Sequence, residues 1–453
     1  MKLKRTLLAL AMITLAFAAQ AQDYQQPKRI QLTAEEQALV RSSVDFSFRF
    51  FRKTRGDISQ VVSPLSVTYA LGMLNNGAAG VTRQEICQTL GFGGTGADGI
   101  NAFCRKMLTE LPVLDEQTKV MLSNAIFLNQ PRYFLPEFLE IAHTYYDAET
   151  QVRDFHDGET MDVINQWGSD HTMGMIDKIL SEDTFNPDFA SYLLNAVYFK
   201  GTWMMKFDKE ETKDEPFNGR EDVPMMHTWN LFPYAETDDY LALMLAYGVG
   251  SYCMTVLLPR EDKSIEDVLA SLDAETWLEK LQCMWDIGEV DVKLPRMDIS
   301  TNVDLIETMS ALGMPSAFGP DADIPGCYNT KQCISQMSQA AKIKMDEEGT
   351  EAAAITIIGT TDGIFVPEFY EFHANRPFLY IISERSTGTI LFIGQYMGEN
   401  VVSENPNSIE EIHNSRYTIP NSQLFDLQGR KLPGKPARDI YIDGKTGRKI
   451  AVK

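Results

Sequence analysis

Ala341-Lys342-Ile343-Lys344-Met345-Asp346-Glu347-Glu348-Gly349-Thr350-Glu351-Ala352-Ala353-Ala354-Ile355-Thr356-Ile357-Ile358 is the stretch from which the fold of this chain is read. Its first residues alternate, with Ile343 and Met345 on one side, and this period predicts a strand. The acids that follow and Gly349 break the pattern. Beyond them the residues are small or β-branched, with no charge between Glu351 and Asp362 and no proline before Pro367. Such a segment favours a strand and contains nothing that bars it from a sheet interior. Thr350, Ala352, Ala354, Thr356 and Ile358 share one strand face, all compact enough to enter a core. Yet Gly359-Thr360-Thr361-Asp362-Gly363 reads as an exposed polar loop. A segment able to serve as loop or as central strand is a candidate switch.

Working outward, Glu35 to Arg52 carries apolar residues at helical spacing (Leu39, Val40, Val44, Phe46, Phe48, Phe51) and predicts an amphipathic helix. Ser63-Pro64-Leu65-Ser66 opens a second helix, Val67 to Asn76, with capping chemistry at its start. Thr82, with Glu85 three residues on, predicts the N-cap of a third. Lys119 to Leu128 and Ser191 to Phe199 read as buried strands, and Asn165 to Leu180 as helical. Tyr240 to Tyr247, Tyr252 to Pro259, Glu289 to Ile299, Phe378 to Ser383 and Thr389 to Gly394 complete a strand-rich second half. Helices first and long strands afterwards predict an α+β fold with large mixed sheets. Gly91-Phe92-Gly93-Gly94-Thr95-Gly96 matches GxGxxG formally, but it follows a helical pattern, so the dinucleotide-binding context fails.

The string Glu347-Glu348-Gly349-Thr350-Glu351-Ala352-Ala353-Ala354 resembles the hinge of inhibitory serpins. Phe372-His373-Ala374-Asn375-Arg376-Pro377-Phe378-Leu379 resembles the strand that follows a serpin reactive loop. An Ala-rich run alone reads as an ordinary helix or linker; the two motifs in this order and spacing are specific. Ser63-Pro64-Leu65-Ser66 matches the family's early Ser-Pro-x-Ser. Asn165, Trp167, Thr172, Gly174 and Ile176 match a second string, and Asn195, Phe199, Lys200, Gly201 and Trp203 a third. Pro224-Met225-Met226, Leu257-Leu258-Pro259 and Leu294-Pro295-Arg296 follow in the family's order, so the resemblance runs from Glu35 to Gly398.

At 453 residues the chain can bury a large core. The 44% hydrophobic and 23% charged content is ordinary for a globular protein. A net charge of -22 argues against nucleic-acid or anionic-membrane partners and leaves no basic patch for a polyanion cofactor. Met1-Lys2-Leu3-Lys4-Arg5 and the apolar run Leu7 to Ala19 read as a secretory signal peptide with cleavage after Ala21. The run is short for a membrane anchor. The predicted organisation is a signal peptide over 1–21, a main domain over 22–398, a polar linker over 399–420 and a short β-rich tail over 421–453. That tail resembles a small C-terminal segment that directs export or surface attachment of secreted proteins in some Gram-negative bacteria; an extra hairpin on the main domain is the other reading. Six cysteines permit disulfides outside the cytoplasm. Cys253, in an apolar strand, reads as a small buried hydrophobe, and Cys327 and Cys333 are near enough in sequence to pair or to remain apart.

The sequence has no GxSxG elbow, HExxH, P-loop or clustered Cys/His spacing, so no enzymatic reading holds. The six histidines are scattered along the chain. The acids Glu210, Glu211, Asp214 and Glu215 lack the alternating ligands of a calcium loop and read as a solvated face. No cofactor or metal is implied.

The resemblance implies the serpin fold, helices around large mixed β-sheets with an exposed reactive loop, and a secreted monomeric suicide inhibitor of endopeptidases. A target protease attacks the loop and forms its acyl-enzyme, and the freed segment then inserts as a central strand and distorts the protease. Ladder hydrogen bonds at about 1 kcal/mol each are opposed by about 1–2 kcal/mol of backbone ordering per residue. Apolar burial of Ala352, Ala354 and Ile358 must therefore tip insertion. Ser63, Ser66 and Asn195 match the family's shutter beneath the sheet, and Trp203 its sheet-opening region. Gln339 stands where many members carry a histidine latch, and an amide can still both donate and accept. Glu347 is expected to form a salt bridge with a partner the sequence does not name. Counting along the loop from Glu347 as the family does puts the scissile bond at Gly363-Ile364, within one or two residues. No Lys or Arg lies between Ile355 and Asn375. The implied targets are elastase-like or subtilisin-like serine proteases, with Asp-specific cleavage after Asp362 and papain-like cysteine proteases as further choices. The alternative function is a non-inhibitory serpin-fold binding protein.

Overall fold

The computed structural model describes residues 26–176, 178–182, 184–327, 333–334, 336–350 and 368–400, with the backbone of four short strands beyond them. Glu351, Ala352, Ala353, Ala354, Gly363 and Ile364 lie outside the described residues, as does the signal-peptide segment.

Helices dominate the first third: α1 (Ala34–Thr54), α2 (Pro64–Gly77), α3 (Gly80–Thr89), α4 (Gly96–Glu110), α5 (Pro136–Tyr146) and α6 (Thr160–His171). Two short helices follow, α7 (Ile265–Ser271) and α8 (Ile306–Leu312). Interleaved strands are β1 (Gln60–Val62), β2 (Thr118–Asn129), β3 (Glu149–Arg153), β4 (Ser191–Thr202), β5 (Lys213–Pro216), β6 (Asp222–Glu236), β7 (Tyr240–Tyr247) and β8 (Tyr252–Pro259). Then come β9 (Asp286–Pro295), β10 (Met297–Asp304), β11 (Ser338–Met345), β12 (Gly349–Thr350), β13 (Phe369–His373), β14 (Phe378–Glu384) and β15 (Ile390–Tyr396).

The helix starts follow local chemistry. Thr33 caps α1 in a capping box with Glu36, and Ser63 caps α2 with Pro64 at the first turn. Thr82 does not cap α3; the helix begins at Gly80, and Thr82 is buried inside it, bonded to Ser316 and to the Asp323 amide. The predicted helix from Asn165 to Leu180 stops at His171, because Met173 and Gly174 adopt left-handed backbone at φ 54° and 77°. The Asn165 side chain then bonds the backbone of Ile179 and Leu180 and pins the irregular segment to the helix. The strand predicted over Glu289 to Ile299 breaks at Arg296 into β9 and β10, which belong to different sheets.

A nine-stranded sheet runs β1-β15-β14-β8-β7-β6-β9-β13, with β5 on β6. The second layer comes in two pieces, β12-β4-β2-β3 and the pair β10-β11. The main core lies between these layers and around α2, and it includes the fully buried Tyr247, Tyr252 and Tyr380. A smaller cluster of Phe127, Ile164, Trp167, Tyr192, Leu194 and Ala196 fills the space between α6 and the outer face of β2 and β4. The six cysteines are unpaired, with Cys253 and Cys327 buried and Cys333 exposed. The strands β16 (Glu410–Ile412), β17 (Leu424–Phe425), β18 (Asp439–Asp443) and β19 (Lys449–Val452) form a sheet of their own. β16 falls within the stretch read as linker and pairs with β19, so backbone pairing begins ahead of residue 421. No described helix is long and apolar enough to cross a membrane.

Candidate functional site

The candidate site is the division between the two pieces of the second layer. One edge of β4 pairs with β2 along its length, Thr118↔Gly201 to Leu128↔Ser191. Among the described residues its other edge meets a strand only at Gly349↔Thr202 and Thr350↔Gly201, where β12 lies antiparallel to it. β11 pairs on one side with β10, Met345↔Met297 to Ser338↔Asp304. Between them runs a cleft walled by β4 residues Ser191 to Ala196 and β11 residues Ser338 to Ala340, with Ser66, Ala70 and Leu74 of α2 beneath.

Farther along, the far end of β4 meets Asp346 to Thr350, the segment expected to be the hinge. Chain reversal at Asp346 to Gly349 brings β12 beside β4, with Gly349 at φ 138°. A Cβ there would sit 2.3 Å from the Gly201 carbonyl oxygen, so glycine is required by backbone angle and by space. Trp203 donates through its backbone N–H to the Glu348 carbonyl at 2.9 Å and through Nε1 to the Asp346 carbonyl at 2.9 Å. Its ring stacks on Tyr247 at 4.4 Å, and the Tyr247 hydroxyl meets the buried Thr350 hydroxyl at 2.9 Å. Trp203 thus belongs to the hinge end, away from Ser63.

The two hinge acids point opposite ways. Glu347 is buried and accepts from Arg296 Nε at 2.8 Å and Thr212 Oγ1 at 2.5 Å. Burial pushes its carboxyl up, but the hydrogen bonds from Arg296 and Thr212 outweigh this and hold it below the ordinary value. Glu348 faces solvent more openly, with Lys206 at 2.7 Å and Lys209 at 2.9 Å, and hydrogen bonds from both ammonium groups lower its carboxyl. Arg296 is the partner that sequence reasoning missed for Glu347. The signal was present, since Arg296 closes the Leu294-Pro295-Arg296 landmark and lies where β9 turns into β10.

The lower end holds Gln339, the residue expected to serve as a latch. The Gln339 Oε1 accepts from the Ser63 backbone N–H at 3.0 Å while its Nε2 donates to the Ser63 carbonyl at 2.7 Å. The Ser63 hydroxyl in turn accepts from the Ser66 N–H at 3.2 Å. The amide at 339 therefore uses both of its hydrogen-bonding faces. Asn195 stands on β4 and donates to Asn124 Oδ1 at 2.7 Å, and its own Oδ1 is buried with no partner among the described residues. The structure thus joins Ser63, Ser66 and Gln339 into one cluster and leaves Asn195 on the β4 wall of the cleft.

Two histidines read as scattered are brought together. His227 Nε2 and His373 Nε2 flank Asp291 at 2.7 and 3.1 Å, tying β6, β9 and β13. Burial raises the Asp291 carboxyl, and hydrogen bonds from His227 and His373 reverse this to a net lowering. Glu215 pairs with Lys293, and Glu211 lies near Lys213 and His227. No group of three or more candidate metal ligands occurs among the described residues.

A layered α+β molecule whose second layer, among the described residues, falls into two separately paired pieces, with the short β12 at one end of β4, defines the structural class. The family described as Serpin (serine protease inhibitor) matches residues 41–398. Human Serpin B3 is 31% identical over 386 residues, covering 79% of this chain and 99% of its own. The native state of the thermophilic serpin Tengpin superposes with a TM-score of 0.73 at 27% identity, covering 83% of this chain and 97% of that one. Thyroxine-binding globulin in complex with thyroxine superposes with a TM-score of 0.70 at 27% identity, covering 79% and 98%. The chain belongs to the serpin family, a family of protease inhibitors that also includes that thyroxine-binding member.

Proposed function

We propose that this serpin is a secreted suicide inhibitor of endopeptidases, which traps its target as an acyl-enzyme when the cleaved loop enters the gap between β4 and β11. The observation that carries this reading is the short β12: its register with β4 is set at Gly349 and Thr350, and among the described residues no strand pairs with the β4 edge beyond it. Extending Thr350↔Gly201 along β4 sets Ala352 opposite Phe199, Ala354 opposite Val197, Thr356 opposite Asn195 and Ile358 opposite Leu193. These residues take the face of β4 whose Leu193 and Val197 pack on the main core. The alternate residues Ile355 and Ile357 fall opposite Ala196 and Leu194, in the cluster beneath α6. Both faces of the incoming strand thus find apolar surroundings, and Thr356 arrives beside the unpartnered Asn195 Oδ1. Glu351 falls opposite Lys200, the one charged neighbour its position calls for.

Cleavage is assigned to Gly363-Ile364, within one or two residues. The absence of Lys and Arg between Ile355 and Asn375 favours elastase-like or subtilisin-like serine proteases, with Asp-specific cleavage after Asp362 second and papain-like cysteine proteases as a further class. The leader over residues 1–21 supports secretion, and the β-rich tail supports an export or attachment role. The protein acts without cofactor, as a monomer. The test is incubation with pancreatic elastase, subtilisin and papain, followed by denaturing electrophoresis. A covalent adduct resistant to denaturant, with a released C-terminal fragment beginning near Ile364, is expected. Clean cleavage with no adduct, and a nicked chain no more heat-resistant than the intact one, would favour a binding protein instead.

A further inference from the structure

Four of the eleven exposed large hydrophobic residues among the described residues gather on one sheet face: Trp229 at 58%, Leu231 at 46%, Ile287 at 53% and Phe369 at 51% exposure. The registers Leu231↔Glu289 and Phe369↔Glu289 put β6, β9 and β13 side by side with these residues on the outward face. Trp229 and Phe369 are in ring contact at 4.9 Å, so the patch is continuous across the central strand. Clustered exposed aromatics of this kind mark interaction surfaces more than scattered single hydrophobics do. Just below, the His227–Asp291–His373 bridge ties the same three strands, and on the opposite face Tyr234 stacks on Tyr370 at 4.4 Å. The platform is therefore fixed before any partner arrives, which lowers the ordering cost of binding.

The position of the patch indicates its occupant. Phe369 lies five residues beyond Ile364, so the proposed scissile bond is at most about 18 Å of extended chain away. A standard interface covers about 800 Å² per partner, a disc of about 16 Å radius. A protease centred on that bond has its contact rim within a few Å of Phe369 at most, on the side that borders the half of its cleft holding residues C-terminal to the cut, and Phe369 opens onto the rest of the patch through Trp229. The rim is acidic, with Glu289 between the strands and Glu368 and Glu371 along β13. We infer that Trp229, Leu231, Ile287 and Phe369 form a docking site for the target protease outside its catalytic cleft, fitting an apolar depression bordered by Lys or Arg. This rests on the inhibitory function proposed above.

The test uses the full chain and whichever of pancreatic elastase, neutrophil elastase, subtilisin and papain forms the covalent adduct fastest. The double variant Trp229→Ser, Phe369→Ser leaves residues 351–367 untouched. Its second-order inhibition rate is expected to fall about tenfold or more, the usual consequence of removing aromatic anchors, while the stoichiometry of inhibition and the heat resistance of the cut form stay unchanged. The wild-type rate should also fall with added salt, because the acidic rim steers a basic partner. Should the double variant lose its cooperative melt, Leu231→Ser, Ile287→Ser carries the same measurement with the aromatic pair intact. Rates within twofold of wild type for every adduct-forming protease would overturn the docking site while leaving inhibition standing. Sedimentation showing a wild-type dimer that the variant lacks would assign the patch to a second copy and overturn it too. Absence of an adduct with all four proteases would remove the inhibitory reading and this inference together.

Discussion

Ala354→Arg separates insertion from everything else the hinge does. From the sequence, Thr350→Arg is the natural block, since Thr350 begins the compact face. In the structure Thr350 is already buried against Gly201 and bonded to Tyr247, so that substitution damages the uncut protein as well as the inserted one. Ala354, four residues on, falls opposite Val197 once the β12 register is extended, on the face of β4 that packs on the main core, and the lining of the neighbouring cleft offers no carboxylate. An arginine buried there unpaired costs several kcal/mol. If about 4 kcal/mol is felt fully in the insertion barrier, the rate falls about a thousandfold; if half is felt, about thirtyfold. Either is enough for hydrolysis of the acyl-enzyme to outrun insertion. The expected outcome is a stoichiometry of inhibition rising from near one to tens or more, an unchanged melt of the uncut chain, and a cut form that no longer gains heat resistance. Titration of active protease against the variant reads the first, and calorimetry the others. A stoichiometry that stays at one would refute both the register and the burial argument built on it.

Three further outcomes follow from the contacts at either end of the gap. Glu347→Gln should lower stability by about 1–3 kcal/mol at pH 7, since it removes the charge from the bonds to Arg296 and Thr212. The native carboxyl is held below its ordinary value of 4.5, so its contribution is complete above that value and disappears as pH falls through the depressed one. Thermal melts of wild type and variant should therefore converge in acid, and curves that remain parallel would contradict the pairing. Gln339→Ala leaves the Ser63 N–H and C=O without their side-chain partners and should cost about 1–3 kcal/mol in denaturant unfolding; a variant as stable as wild type would show that the latch holds nothing. Gly349→Ala combines a 2.3 Å collision with the Gly201 oxygen and a φ of 138°, and the backbone strain alone is worth about 1–3 kcal/mol. Faster hydrogen exchange at Thr350 and Thr202 would report the loosened β12.

Alternation and turn chemistry made β11, β7, β8, β14 and β15 legible within a few residues, because each is buried and bounded by breakers. The family motifs pointed to Glu347 to Thr350, where the structure shows a chain reversal and the start of β12. Failures arose where one residue changes the direction of the chain. Arg296 interrupts an alternating stretch that reads as one strand, and there the chain passes from one sheet to another while the guanidinium pairs with Glu347, far along the sequence. Met173 and Gly174 end α6 through positive φ, which no periodicity of apolar residues announces. The pairing of His227 with His373 through Asp291 depends on three strands meeting, so spacing along the chain could not reveal it. Only one face of the incoming strand looked important in the sequence; the second apolar cluster beneath α6 gives the other face, with Ile355 and Ile357, equal weight.

On the inhibitory function proposed above, the Glu347–Thr350 segment and the Gln339–Ser63 contact would govern different stages of one event. At the hinge, Trp203 and Thr202 of the β4 end, Tyr247 of β7 and Arg296 at the β9–β10 corner all meet Asp346 to Thr350, so three sheets are tied where an entering strand must start. At the latch, Gln339 holds the foot of β11 to the first turn of α2 through Ser63. From Gln339 to Asp346 at about 3.3 Å per residue, the two are separated by about 23 Å along β11. Each residue that enters exchanges water contacts for burial against clusters on both sides, so progress down the gap is favourable once begun, and the widening of the lower end comes last. Loosening the hinge therefore changes how readily the first turn of insertion starts in the uncut chain, and it should show as spontaneous loss of activity on storage. Loosening the latch changes how fast a cut loop completes its passage, and it should show as a stoichiometry closer to one. If Gln339→Ala accelerated spontaneous inactivation with no change in stoichiometry, and Glu347→Gln did the reverse, the assignment of start and finish would have to be exchanged.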